Sequence, residues 1–142
     1  MKLTDYSSGG GCGCKIPSNI LQKYLKNLEK QFLDKNLLVG NSKSDDAAIY
    51  KINSKEAIVA STDFFTPIVN DPYEFGRISA TNAISDIYAM GAKPLFALAI
   101  LAVPSESINN KLVKKIILGG KDICRMAGIV VAGGHTIKSS EI

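Results

Sequence analysis

The 142-residue chain is long enough for about one ordinary domain, and 46% apolar with 21% charged residues allow it to bury a core. This composition excludes an intrinsically disordered protein and a coiled coil. Seventeen Lys and Arg against thirteen Asp and Glu leave a net charge of +4. Because no basic block exceeds the pair Lys114 and Lys115, we expect no nucleic-acid partner, whereas a small polyanionic ligand suits this balance.

The first fifteen residues differ from the rest of the chain. Ser7 to Lys15 read SSGGGCGCK, without apolar periodicity, so we expect residues 1–15 to form a flexible loop and residues 16–142 to form the folded domain. From Pro17 to Phe32 apolar residues recur at helical spacing, which predicts a helix that lies on a core.

Two short strands are predicted next, at Ala47–Ile52 and Glu56–Thr62, with Asn53–Lys55 as the hairpin turn between them. Aspartates stand just before the first strand and just after the second. An antiparallel pair brings these carboxylates toward a common end or neighbouring edges: Asp45, Asp46 and Asp63.

The sequence Asp71-Pro72-Tyr73-Glu74 is typical of a helix start, since Asp caps, Pro suits the first position and Glu follows three residues after the cap. We expect this helix to continue to about Met90 and to end at Gly91. Leu95–Val103 is almost wholly apolar, which predicts a strand buried on both faces.

Ile108–Ala127 is predicted to be an amphipathic helix that ends at Gly128. A strand at Ile129–Ala132 then leads into a predicted turn, Gly133-Gly134-His135-Thr136. The order helix, two strands, helix, strand, helix, strand indicates an α/β layered domain.

Membrane and disulfide signals are weak throughout. The longest apolar runs fall well short of the roughly 18 residues of a membrane span, and the first residues lack the apolar core of a signal peptide. We therefore expect a cytoplasmic protein with no membrane contact. Three cysteines make no disulfide framework; Cys124 shares a helical face with apolar residues and is predicted to be a core residue.

Asp86 is conspicuous because its carboxylate lies in a helix of otherwise small and apolar residues. Ser79, Asn82 and Asp86 fall on one narrow stripe at i, i+3 and i+7. Together with the aspartates around the hairpin, these oxygen donors favour a hard cation such as Mg²⁺, which commonly bridges one or two carboxylates and phosphates. The alternative is that each aspartate is a turn, cap or hydrogen-bonded structural residue.

Two glycine-rich stretches are the other candidates. The turn at residues 133–136 offers successive N–H groups for an anion, or is simply a turn. In Gly11-Cys12-Gly13-Cys14-Lys15 the lysine favours a thiolate and the glycines allow movement, as a mobile nucleophile needs; Lys15 equally suits phosphate oxygens. A flexible tail with incidental thiols is the alternative interpretation.

Several stretches together resemble the selenophosphate synthetase (selenide, water dikinase) family, and the resemblance covers nearly the whole chain. The matching stretches are residues 6–15, Asn36–Asn41 leading to Asp45-Asp46-Ala47-Ala48, Ser61–Phe65, Ala80–Gly91 and Ala132–His135. The order of Gly-Cys-Gly-Cys-Lys and Asn-Ala-Ile-Ser-Asp makes the resemblance specific.

The resemblance implies ATP-dependent synthesis of selenophosphate from selenide and water, releasing AMP and orthophosphate, with Mg²⁺ and a monovalent cation such as K⁺. It implies an aminoimidazole ribonucleotide synthetase-like α/β fold, with a mixed sheet covered by helices and strands that pair across a homodimer. Family members are longer, and their C-terminal domain supplies a further aspartate. We therefore expect residues 16–142 to be the N-terminal ATP-binding domain alone, inactive by itself.

The resemblance also implies residue roles. Cys12 takes the position of the catalytic cysteine and Lys15 that of the essential lysine. Asp45 and Asp86 are implied magnesium ligands, and Asp86 also lies at the nucleotide. The remaining nucleotide contacts implied are Asp63, Gly133, Gly134 and His135.

Two other functions remain open. One is another ATP-using enzyme of the same superfamily, such as thiamine monophosphate kinase, against which the cysteine–lysine loop argues. The other is a non-catalytic nucleotide-binding or dimerisation module.

Overall fold

The computed structural model describes residues 2–7, 9–11, 13, 15–26, 34–40, 45–104, 109–140 and 142. A 3-10 helix, Leu3–Tyr6, comes first. The further elements, in chain order, are α1 (Ser18–Leu25), β1 (Leu37–Val39), β2 (Ala48–Lys51), β3 (Ala57–Ala60), α2 (Pro72–Ala89), β4 (Phe96–Val103), α3 (Asn110–Met126) and β5 (Val130–Lys138).

The beginning of the chain contributes a residue to the core. Leu3 is only 2% exposed and packs in a core cluster with Phe75, Ile116 and Ile142. A single apolar side chain among polar ones has no periodicity, so the sequence does not reveal the burial of Leu3 or the 3-10 helix. The flexible loop over residues 1–15 stays a prediction.

The hairpin is confirmed. β2 and β3 pair antiparallel with Ala48 opposite Ala60 and Lys51 opposite Ala57, and β1 adds to the other edge of β2 as a third strand. This register places Asp46, just before β2, beside Ser61, just after β3. The start of β2 and the end of β3 therefore converge as predicted, with Asp46 just before the start of one strand and close to the end of the other.

Helices α2 and α3 pack closely through glycine. Asp71 caps α2 by accepting from the Glu74 backbone N–H at 2.8 Å, as the sequence predicts. A Cβ added to Gly76 of α2 would lie 1.9 Å from the Ile116 carbonyl oxygen of α3, so only glycine fits the crossing. The parallel strands β4 and β5 and the helix α3 between them form a βαβ unit, and Ile84 of α2 packs in one core cluster with Cys124 of α3 and Ile129 just before β5.

The other side of β4 is uncovered by the described residues. Phe96, Leu98 and Ile100 are each more than half exposed, whereas Val103 is buried. The prediction of a strand buried on both faces is therefore wrong for the described chain: an apolar strand can bury both faces only where a second layer covers it.

Gly133 and Gly134 lie inside β5 and not in a turn. They pair with Leu98 and Ala99 of β4 next to a register shift, and a Cβ on Gly134 would lie 1.8 Å from the Ala99 carbonyl oxygen. The predicted glycine turn is wrong, because these glycines serve a close approach of two strands. Their contact with an anion stays a prediction.

Helix α1 also differs from its prediction. None of its residues is buried, and Tyr24 is 65% exposed. Its apolar stripe exists, but no described element covers it; residues 27–32 of the predicted helix lie outside the described residues. Among the described segments, no helix is both long enough and apolar enough to cross a membrane.

Candidate functional site

A cavity of about 650 Å³ opens beside the strand ends. Its walls come from the glycine-rich loop, the segment after β3, the helix pair and β4, and it is lined at one end by Gly11, Lys15 and Asp63. Ser79 of α2 also lines it. The cavity therefore reaches from the N-terminal loop to Ser79, the first residue of the polar stripe of α2.

Asp63 is the centre of the first polar cluster. The Lys15 Nζ lies 3.2 Å from its Oδ1, and the Asn82 side-chain amide donates to its Oδ2. The Asp63 side chain is 9% exposed and that of Lys15 is 61% exposed. A shielded carboxylate is thus paired with an accessible ammonium group at the cavity.

Asp86 is the centre of the second cluster. It lies on α2, one helical turn after Asn82. The Ser61 hydroxyl lies 2.6 Å from Asp86 Oδ2 and 3.2 Å from the Asp46 carbonyl oxygen. Because a hydroxyl has one proton, it donates to one of these oxygens at a time. Ser61 therefore links the start of β2, the end of β3 and α2.

The oxygen donors suit a hard cation shared with a ligand. Among the described residues no three carboxylate, histidine or cysteine side chains form a closed metal cage. Mg²⁺ is usually held by one or two carboxylates and completed by phosphate and water oxygens. Asp86 and the nearby Asp46 carbonyl oxygen fit such a half-built site.

The structure does not bring every predicted residue together. Asp45 is exposed three residues before β2, and no described contact joins its side chain to Asp86. Gly133, Gly134 and His135 are exposed on β5 and, in the part of the chain described, do not line the cavity. Cys12 lies outside the described residues.

Cys124 is separate from this chemistry. It is 2% exposed on α3 in a cluster with Ile84 and Ile129, as the sequence predicts for a core residue. Burial raises the pKa of its thiol, which keeps the sulfur protonated and unreactive at neutral pH.

Ser61 is the member of the two polar clusters that was not predicted from the sequence. It lies two residues before Asp63, where side chains of an extended segment point the same way, but serine is common at strand ends. Asn82 and Asp86 were predictable from their helical spacing, and the structure confirms that both face the segment after β3.

Comparison with known protein families shows to which family the chain belongs. Residues 44–142 match the model of the AIR synthase related protein, N-terminal domain. The chain belongs to the AIR synthase related family. The α/β fold expected from the sequence is thereby confirmed, and the helix pair, β4 and β5 all lie within the matched AIR synthase related domain.

Individual relatives of this AIR synthase related chain carry a common name. The chain is 58% identical to "Selenide, water dikinase" of Pseudomonas straminea, 55% identical to that of Dechloromonas aromatica and 53% identical to that of Photorhabdus laumondii. Each match covers 99% of this chain but only 40–41% of the relative. The chain thus spans about two fifths of their length, and the resemblance seen in the motifs is confirmed.

Proposed function

We propose that the protein containing this chain synthesises selenophosphate from selenide and water, consuming ATP and releasing AMP and orthophosphate. The observation that carries the proposal is the ion pair between Lys15 and Asp63 at the cavity; Asp63 also accepts from Asn82, which lies one helical turn before Asp86 on α2. The relatives named selenide, water dikinase, alike over 99% of this chain, support the chemistry.

Nucleotide binding is assigned to the two polar clusters. Lys15 supplies a positive charge for phosphate oxygens, and Asp63 sets its position while contacting the nucleotide directly or through a metal. Asn82 orients Asp63 by donating to it, and Ser61 orients Asp86 in the same way. Phosphoryl transfer depends mostly on such placement and charge stabilisation.

Mg²⁺ is the proposed cofactor, with a monovalent cation such as K⁺ beside it. Asp86 would hold the Mg²⁺, as its free coordination sites and the neighbouring Asp46 carbonyl oxygen allow, and Asp45 is proposed as a further ligand on the motif resemblance. Bound there, Mg²⁺ would neutralise polyphosphate charge.

A homodimer is proposed from the uncovered face of β4. Leu98 is 66% exposed and Phe96 57%, an apolar face that strands of a second copy would cover. Gly133, Gly134 and His135 lie on the neighbouring strand, so we assign their phosphate contacts to a site completed near that interface.

Cys12 is the proposed catalytic cysteine that handles selenide, on a loop formed by residues 1–15, while residues 16–142 bind ATP. We place the enzyme in the cytoplasm, where selenide and thiols stay reduced. We also propose that the 142-residue chain alone does not turn over, because it spans only about 40% of the relatives.

The test is a selenide-dependent assay of the full gene product that encodes this chain. Phosphorus NMR should show selenophosphate and orthophosphate, with AMP formed only when selenide is present. Cys12→Ser should abolish selenophosphate while ATP still binds. ATP binding with no turnover in any preparation would instead identify a nucleotide-binding module, and ADP as the product would identify another kinase of the superfamily.

A further inference from the structure

Thr66 contacts the glycine-rich loop twice. Its hydroxyl donates to the Gly9 carbonyl oxygen, and its own carbonyl oxygen accepts from the Gly11 N–H at 3.4 Å. Gly11 and Thr66 form an isolated antiparallel bridge. The loop therefore crosses the segment after β3 at Thr66, three residues beyond Asp63.

The fit between loop and segment is close at this crossing. Gly11 has a φ of +59°, and a Cβ there would lie 3.0 Å from the Ile68 Cγ2. Pro67, next to Thr66, is fully buried, and a residue before proline is restricted to extended backbone. The segment thus offers the loop a fixed surface.

The chain is also held on both sides of the crossing. Before it, Leu3 is buried in the core, and the Thr4 N–H and hydroxyl donate to the Asn70 side-chain oxygen at 3.2 and 2.8 Å. After it, Lys15 pairs with Asp63. Thr66 is the contact between these two anchors, so its hydroxyl helps to set where Lys15 stands.

We propose that Thr66 is a positioning residue for the loop that carries Lys15. It contacts no reacting atom; it acts by holding Gly9 and Gly11, and so keeps the Lys15 ammonium beside Asp63. The role in catalysis rests on the proposed function, whereas the docking of the loop does not.

The first test measures docking without substrates. We expect trypsin to cleave the Lys15–Ile16 bond faster when the loop has left its surface, because proteolysis follows the population of the open state. Thr66→Val keeps the side-chain shape and removes the hydroxyl, so cleavage at this bond, identified by mass spectrometry, should become about fivefold faster. Thr66→Ser keeps the hydroxyl and should restore the parent rate.

The control is Thr81→Val, which removes an exposed threonine hydroxyl from α2. It should leave cleavage after Lys15 unchanged, whereas Thr66→Val loses a hydrogen bond of the docked state and should lower the melting temperature by no more than about 5 °C. Equal cleavage rates for the parent and Thr66→Val would overturn the proposal. So would equally fast cleavage of Thr66→Ser and Thr66→Val.

The second test uses the full gene product. Thr66→Val should raise the KM for ATP about fivefold with a smaller change in kcat, since the loop must be docked before the lysine meets phosphate. A lower kcat with unchanged KM would contradict the positioning role. Faster proteolysis of Thr66→Val in a protein that makes no selenophosphate would sink the proposed function and leave the docking role standing.

Discussion

The Lys15 ammonium lies 3.2 Å from the Asp63 carboxylate, joining a side chain that is 61% exposed to one that is 9% exposed. Ion pairs with an exposed partner stabilise a fold by about 1 kcal/mol or less. The pair therefore places a positive charge at the cavity without fixing it there strongly.

Removing the charge of Asp63 should weaken nucleotide binding. Asp63→Asn keeps the side-chain shape but loses the charged partner of Lys15 and the charged acceptor for Asn82. We expect the Kd for Mg²⁺·ATP, measured by calorimetry, to rise at least about tenfold. The control is Asp71→Asn, since asparagine caps a helix as well as aspartate does. Unchanged affinity in Asp63→Asn would remove this residue from the site.

Removing the Ser61 hydroxyl should weaken Mg²⁺ binding and leave the stability of the fold unchanged. In Ser61→Ala, Asp86 loses the donor 2.6 Å from its Oδ2, so its carboxylate is less well oriented. Half-maximal ATP binding should then require about tenfold more Mg²⁺. Ser85→Ala is the matched variant, because that hydroxyl only donates to a carbonyl oxygen of its own helix. If both variants shift the Mg²⁺ requirement equally, Ser61 has no special role.

An added methyl group between α2 and α3 should destabilise the fold at Gly76 but not at Gly120. A Cβ on Gly76 would lie 1.9 Å from a backbone oxygen, but a Cβ on Gly120 would lie 3.5 Å from the nearest one. Gly76→Ala should lower the free energy of unfolding by at least about 2 kcal/mol, as other overpacked contacts do. Gly120→Ala should leave it unchanged or raise it by up to about 1 kcal/mol, since alanine favours a helix. Urea unfolding followed by circular dichroism measures both, and equal effects would contradict this packing.

Alkaline pH should reveal the contact between Tyr73 and Asp122. The hydroxyl of Tyr73 donates to the Asp122 carboxylate, and this bond is the main reason why the pKa of Tyr73 is raised from its ordinary value of 10.0. The associated stability is fully present below pH 10.0 and is lost as the pH rises through the folded pKa. The melting temperature of the parent should therefore fall more steeply above that pH than that of Tyr73→Phe. Parallel curves would show that the bond adds no stability.

Local signals in the sequence predicted local structure well. The cap at Asp71 and the hairpin around residues 53–55 depend on residues within a few positions of one another, and both are confirmed. The stripe of Asn82 and Asp86 was predictable because helical spacing alone decides which side chains share a face.

Features that depend on a distant neighbour were not predictable. Glycine is needed at position 134 because the Ala99 backbone of another strand lies too close for a Cβ. The exposure of Leu98 depends on what covers β4. Helix α1 shows the same limit: an amphipathic pattern tells which face is apolar but not which element packs on it. Ser61 gains its role only when three segments meet at its hydroxyl.

The central claim is that this site serves selenide-dependent cleavage of ATP. The most direct measurement is phosphorus NMR of the full gene product with ATP, Mg²⁺ and selenide, beside its Cys12→Ser variant. The account predicts selenophosphate, orthophosphate and AMP from the parent and no selenophosphate from the variant. Selenophosphate formed equally by both proteins, or ATP consumed at the same rate without selenide, would contradict it.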